Sequence, residues 1–271
     1  MFNVLQIHPE SDVCKRKRIV YTGTPEICYG GFAVNVELLT DLDTNKAINK
    51  VYVAARTCYS KESPIEIWNH IKNNNSAEEI AKRVKLIKHV LNSGHLSVIE
   101  HLNFMFLIEG VSRSLTHQLM RHRVGVSYSQ QSQRYCKSDE DLEVVVPKAI
   151  ENNPDALEGF KATMKMLGGV YSVLIGIGIK PEDARAVLPN ACCTNVTLTI
   201  NARALIHLCN ERLCTCAQEE IRSLVYKMAN AVSKDYPFLK EYLVPKCEML
   251  GYCNESKDRS CGRKKLKKDV L

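Results

Sequence analysis

Cys192-Cys193-Thr194-Asn195-Val196-Thr197-Leu198-Thr199-Ile200, followed at once by Asn201-Ala202-Arg203-Ala204-Leu205, is the stretch on which the fold turns. Its first part alternates and is rich in Thr and Val, which suit a pleated, half-buried surface, so it reads as a strand. From Asn201 to about Ser233 the pattern becomes helical, with a break expected near Cys214-Thr215-Cys216. Upstream, residues 32–42 read as a strand through Phe32, Val34, Val36 and Leu38-Leu39. Residues 51–55 fit either a strand or a helix. Ser76 with Glu79 forms the sequence pattern of a capping box. Ile80, Val84, Ile87 and Leu91 follow at helical spacing, and Gly94 makes a stop.

Residues 102–108 predict a strand closed by Glu109-Gly110. Residues 111–121 predict an amphipathic helix with Val111, Leu115 and Leu119 on one stripe and Gln118, Arg121 and His122 on another. Residues 142–147 read as a short strand closed by Pro147. Residues 154–175 read as a long helix interrupted at Gly168-Gly169, and Pro181 opens a helix running towards Leu188. These elements intermingle without a regular β-α-β alternation, and no Gly-x-Gly-x-x-Gly follows a strand. A doubly wound dinucleotide fold is therefore disfavoured.

With 271 residues, 45% of them apolar and 25% charged, the chain has material for a sizeable core. No stretch approaches the ~20 apolar residues of a membrane span. Met1 to Gln6 lacks a basic segment followed by an apolar run, so no signal peptide is expected. The twelve cysteines are then expected as reduced thiols in a cytoplasm. Five positive charges of the net +7 fall in Arg263-Lys264-Lys265-Leu266-Lys267-Lys268, which reads as a solvated tail. The expected organisation is a single domain over residues 1–245 and a basic, Cys-containing tail over 246–271.

The chemistry concentrates in Arg121-His122-Arg123-Val124-Gly125-Val126-Ser127-Tyr128-Ser129-Gln130-Gln131-Ser132-Gln133-Arg134-Tyr135. It contains no carboxylate. Arginine presents five fixed N–H donors suited to phosphate oxygens, and Ser and Gln both donate and accept, which suits a nucleobase or a flavin. The pattern resembles that of the flavin-dependent thymidylate synthases: Arg-His-Arg, a spacer, Ser, then Arg-Tyr. Here Arg121, His122, Arg123, Ser132, Arg134 and Tyr135 fit it. The spacer is eight residues instead of the usual seven, with the extra residue placed near Val124-Gly125. Gly94-His95-Leu96-Ser97-Val98-Ile99-Glu100-His101, Ala184-Arg185-Ala186-Val187-Leu188-Pro189, Asn201-Ala202-Arg203-Ala204-Leu205 and Ala217-Gln218 with Glu220-Ile221-Arg222 resemble further elements of that family, in order.

The resemblance implies an α+β fold, with helices packed on a largely antiparallel sheet, and a homotetramer with active sites between subunits. It implies conversion of dUMP to dTMP, with methylenetetrahydrofolate supplying the carbon, reduced FAD the hydride, and NADPH regenerating the flavin. By position it assigns Gln118, Arg121, Ser132, Gln133, Arg134, Arg185 and Arg212 to the dUMP site, with Arg212 polarising the uracil. His95, Ser97, Arg121, His122, Arg123, Gln130, Asn201, Arg203 and His207 would face FAD. Gln130 stands where many members carry Glu, and His207 where Asn is common.

Plainer readings stand beside these. His95 would cap a helix end, Glu100 and His101 would pair with nearby charges, and Arg203 with His207 would form a solvated stripe. Arg185 would pair with Glu182 or Asp183. Arg212, on the stripe of Leu205 and Leu208, needs a partner. Ser132 has neither a neighbouring base nor a nucleophile elbow, so it reads as phosphate-binding. A cysteine nucleophile, as in the folate-only thymidylate synthases, has no matching context, and Cys192-Cys193 is its nearest imitation. Cys214, Cys216, Cys247, Cys253 and Cys261 lack Cys-x-x-Cys spacing, so no metal site is expected. Two other classes stay open. One is a non-catalytic nucleotide- or RNA-binding protein, although the motif offers no stacking platform and nucleic acid is not the expected partner. The other is a zinc-stapled protein.

Overall fold

The computed structural model describes residues 34–39, 43–138 and 141–270. Phe32 and the 40–42 end of the first expected strand lie outside these residues, as do the N-terminal six. Strand β1 is Asn35–Leu39. Helix α1 follows at Thr44–Thr57, capped by the Asp43 side chain on the Lys46 amide, so residues 51–55 are helical. Helix α2 (Pro64–Ile71) carries a full capping box between Ser63 and Glu66 that the sequence reading missed. Helix α3 is Ala77–Asn92, with Ser76 accepting from the Glu79 amide; the Glu79 carboxylate meets Lys82 at 2.8 Å. Gly94, at φ 85°, turns the chain out of α3.

Strand β2 (Asn103–Ser112) does not stop at Glu109-Gly110: its register shifts between Ile108 and Val111, and the strand continues. Gly110 takes φ 71° there, so the glycine makes a bulge instead of a turn. Val111 is therefore a strand residue, and helix α4 is only Arg113–Leu119. Strand β3 is Val126–Gln130. Residues 142–147 form no strand, only a single bridge from Val144 to Cys192. Helices α5 (Lys148–Glu151) and α6 (Pro154–Gly176) follow, and α6 runs through Gly168-Gly169 without interruption. Helix α7 (Pro181–Ala184) passes into a 3-10 turn, Arg185–Val187. Strand β4 (Cys193–Asn201) leads directly into α8 (Ala202–Arg212); α9 (Glu219–Asp235) follows the expected break, and α10 is Lys246–Leu250.

The sheet order is β1-β2-β4-β3, with every pairing antiparallel. Alternation decides what faces the core. Phe104, Phe106 and Ile108 of β2 and Val196, Leu198 and Ile200 of β4 are buried on the face covered by helices. Ile87 of α3, Leu205 and Leu208 of α8, and Leu224, Val225 and Met228 of α9 join them in one core. A second, smaller cluster of Leu142, Val144 and Cys192 lies under Phe160, Met164 and Leu167 of α6. The last residues are not a free solvated tail. Cys253 is buried, its amide donates to the Lys265 carbonyl at 2.7 Å, and its carbonyl accepts from the Lys267 amide at 2.9 Å.

Candidate active site

Because β3 occupies the middle of the Arg-His-Arg to Ser segment, the two halves of the motif sit at opposite ends of a strand. The eight-residue spacer resolves into a turn at Val124-Gly125 and an unbroken ladder from Val126↔Ile200 to Gln130↔Val196. The expected shared helical face of Gln118, Arg121 and His122 does not form: α4 ends at Leu119, and His122 N–H closes a tighter bond to the Leu119 carbonyl at 3.1 Å. Gly125 adopts φ 70°, and a Cβ there would lie 2.3 Å from Asn201 Nδ2. The Gly125 carbonyl accepts from Asn201 N–H at 2.9 Å, and Asn201 Oδ1 caps α8 by accepting from Ala204 N–H at 2.8 Å. Asn201 thus joins the motif turn to the α8 N-terminus.

At the first end of β3, Arg212 Nε donates to His122 Nε2 at 3.1 Å. This is the partner its position on the Leu205–Leu208 stripe demands. The imidazole must be neutral to accept, and burial, with the charges of Arg212 and His207, lowers the His122 pKa to about 4. His207 meets the His122 ring edge-on at 5.7 Å. The Tyr128 hydroxyl lies 2.7 Å from the His122 carbonyl and 2.8 Å from that of Leu119, within donating reach of both. Tyrosine is protonated at neutral pH, and burial pushes this hydroxyl further up, to about 12, so it stays a donor. Arg121 and Arg123 are exposed and form no ion pair among the described residues. Arg203 pairs with Glu100 at 2.6 Å, and His95 and Ser97 are exposed nearby on the 3-10 turn Leu96–Ile99. The His95 side chain caps nothing there.

At the other end, Arg134 binds Glu182 through Nε at 2.8 Å and Nη2 at 2.6 Å. Arg185 Nε donates to the Glu182 carbonyl at 3.1 Å, so α7 brings both arginines to one residue. Ser132 Oγ accepts from Arg134 N–H at 3.2 Å. Gln133 is half-buried beside it. Gln130 turns away from solvent and donates to the Thr116 and Thr194 hydroxyls, each at 3.3 Å. Gln118 Nε2 donates to Gln218 Oε1 at 3.0 Å.

The sequence did not disclose the roles of three residues here. Arg113 donates from Nη2 to the Gln131 carbonyl at 2.7 Å while its buried Nε has no hydrogen-bond partner among the described residues. Burial, and more weakly Arg185, lowers its pKa. A cation in the first turn of a helix, against the dipole, was the available signal. Glu182 was read as a neighbour of Arg185 but not as the carboxylate that Arg134 needs. Glu220 is buried and accepts from Ser112 N–H at 2.7 Å and Ser112 Oγ–H at 2.6 Å. Since Ser112 caps α4, Glu220 positions the helix that carries Gln118. Cys192 is buried and its pKa is pushed up to about 11 by burial, which disfavours the thiolate that a nucleophile needs.

The thymidylate synthase complementing protein family matches residues 39–238. A flavin-dependent thymidylate synthase of Nitratidesulfovibrio vulgaris is 39% identical over 243 residues, covering 87% of this chain and 97% of that one. One from Clostridium tetani is 40% identical over 225 residues, covering 78% and 86%. Among solved structures, a UMP/dUMP methylase, PolB from Streptomyces cacaoi bound with 5-Br dUMP, is similar in fold, with TM-score 0.65 and 23% identity over 78% of this chain and 95% of that one. With the motif, the sheet and these likenesses in agreement, the chain belongs to the flavin-dependent thymidylate synthase family.

Proposed function

We propose that this protein is a flavin-dependent thymidylate synthase converting dUMP to dTMP, with methylenetetrahydrofolate as carbon donor and NADPH as reductant of bound FAD. The observation that carries the reading is Arg212: its Nε is committed to a neutral histidine, so its full charge remains for a ligand. A guanidinium held in this way can stabilise negative charge developing on a uracil carbonyl oxygen as C5 becomes nucleophilic. Arg134, Arg185 and Ser132 offer a phosphate site in which substrate would displace the Glu182 carboxylate.

The donor set at the other end suits FAD: exposed Arg121 and Arg123 for its phosphates, with His122, His207 and Arg203 beside them. Bound there, the flavin supplies the hydride chemistry. Gln130 and Asn201 act through the scaffold, one on two threonines and the other as a cap. The two ends of β3 lie on the order of 15 Å apart, and both are open, which favours sites completed by other subunits of a homotetramer. An exposed apolar stripe of Met166, Val170 and Val173 on α6, continued by Ile177 at its C-terminal cap, is a surface for such contact. No helix of the described residues is long and apolar enough to cross a membrane, and no nucleic acid partner is invoked. Ten free thiols among the described residues accord with a cytoplasmic protein. We take residues 1–245 as the enzyme domain and 246–271 as an appended tail.

The test is the absorption spectrum of the purified protein under dUMP titration, followed by assay of dTMP formation. A flavin band perturbed by dUMP and product formation support the reading. A colourless protein that FAD cannot reconstitute would overturn it in favour of simple nucleotide binding.

A further inference from the structure

The turn between α8 and α9 places the Cys214 and Cys216 thiols together, and the tail lays Glu255 against them. Each offers one ligand atom, and the three atoms lie within 4.8 Å of one another. Tetrahedral zinc with Zn–S bonds of ~2.3 Å sets its donors about 3.5–3.8 Å apart. Closing the cluster around an ion thus needs a contraction of about an ångström. Sequence spacing hid this arrangement, because Cys-x-Cys is too short a pattern and the third donor comes from about forty residues on.

We propose that Cys214, Cys216 and Glu255 hold a structural zinc ion that fastens the C-terminal tail to the α8–α9 turn. The tail is already seated for it. Cys216 Sγ donates to the Arg259 carbonyl at 3.3 Å, and the Cys214 and Cys216 sulfurs lie within 4.8 Å of each other. Asn210 Nδ2 donates to the Val244 carbonyl at 3.1 Å. Arg222 Nη1 holds the turn by donating to the Thr215 and Ala217 carbonyls at 3.1 and 3.3 Å. Two further thiols adjoin the cluster. Cys261 lies beside the Thr215 side chain, and Cys247 lies within electrostatic reach of Cys214; neither belongs to the 4.8 Å cluster, so the fourth position falls to one of them after a shift, or to water. Two thiolates and a carboxylate of borderline-soft to hard character suit Zn²⁺. Binding exchanges one proton per ligating thiol for the metal, with no change of oxidation state. The staple has a mechanical consequence, because Cys214 stands two residues beyond Arg212, at the end of the helix that presents it.

The experiment is metal analysis of the full-length protein purified in zinc-containing medium, with acid-labile sulfide measured on the same sample. About one zinc per chain is expected in the parent. Cys214→Ser, Cys216→Ser and Glu255→Gln should lose it, while Cys58→Ser, at an exposed thiol outside the cluster, should keep it. Cys247→Ser and Cys261→Ser then identify the fourth ligand. Should a variant fail to fold, alkylation mapping of the parent decides: zinc should shield Cys214 and Cys216, and a chelator should expose them and make the tail sensitive to protease. No zinc in the parent, with unshielded thiols when zinc is added to the reduced protein, would overturn the proposal. Iron with labile sulfide, or a Cys214–Cys216 disulfide in place of metal, would overturn it as well. None of these readouts depends on flavin or on turnover, so the proposal stands or falls apart from the enzymatic reading.

Discussion

The two ends of β3 hold arginines in opposite ways. At the Val126 end, Arg212, His122 and His207 gather positive potential, and the molecule relieves it by keeping the His122 imidazole neutral. At the Gln130 end, the Glu182 carboxylate offsets the charge of Arg134, while Arg185 donates to the Glu182 backbone carbonyl. A guanidinium held by a neutral ring keeps its whole charge for a ligand and cannot be neutralised by its support. One held by an exposed carboxylate is already partly satisfied and gives up that partner when a phosphate arrives. The first arrangement suits stabilisation of charge that appears only during reaction, and the second suits reversible binding.

The largest effect that would break this contrast is at Arg212. Arg212→Ala should lower kcat for dTMP formation by about 10²–10³-fold with little change in KM for dUMP, as expected for a donor that acts on developing charge. A change confined to KM would assign Arg212 to ground-state binding and erase the distinction between the ends.

Next in size is the acid limb of stability. The His122 pKa falls from an ordinary 6.5 to about 4 on folding. The unfolded chain therefore binds the proton first, and stability should fall as pH drops from about 6.5 towards 4. The ring is half-buried, so solvent screening reduces the effect to about 1–2 kcal/mol. His122→Gln, measured by urea unfolding at pH 7 and pH 4.5, should flatten that slope. An unchanged slope would mean that the His122 pKa does not fall on folding, so that its surroundings impose no neutral state on the ring.

How the sequence disclosed these two ends differs as well. The alternation of β4 and its direct passage into α8 were plain, because the change of period from strand to helix is a local signal. So was the need of Arg212 for a partner, since a cation on an apolar stripe is costly wherever the chain goes. Its identity was not, because His122 lies 90 residues away in sequence. Strand β3 was missed: with Ser127 and Ser129 exposed and Gln130 half-buried, its polar composition masks the alternation that pairing with β4 imposes. The bulge at Glu109-Gly110 looked like an ending because glycine serves both purposes, and only the neighbouring strand decides between them. The meeting of Arg134 with Arg185 depends on how α7 packs, which no local pattern encodes.

Smaller effects belong to the Gln130 end. Arg134→Ala should raise KM for dUMP about tenfold and leave kcat within about threefold if, as proposed, Arg134 holds the substrate phosphate in the ground state. A large fall in kcat with KM intact would move the reacting centre to this end.

The smallest expected effect is the most discriminating. Glu182→Gln removes the charge that Arg134 meets at 2.6 Å, in a pair whose side chains are 51% and 36% exposed. Such a pair contributes only about 0–1 kcal/mol to stability, so the melting temperature should hardly move. If the carboxylate is a placeholder for phosphate, losing it should tighten dUMP binding, because the nucleotide no longer competes with an internal anion. Calorimetric titration of dUMP into both proteins checks this, and the gain should shrink as salt rises. Weaker binding in the variant would show that Glu182 orients the two arginines. Both ends of the strand would then be preorganised, and the contrast between them would reduce to which counter-group each employs.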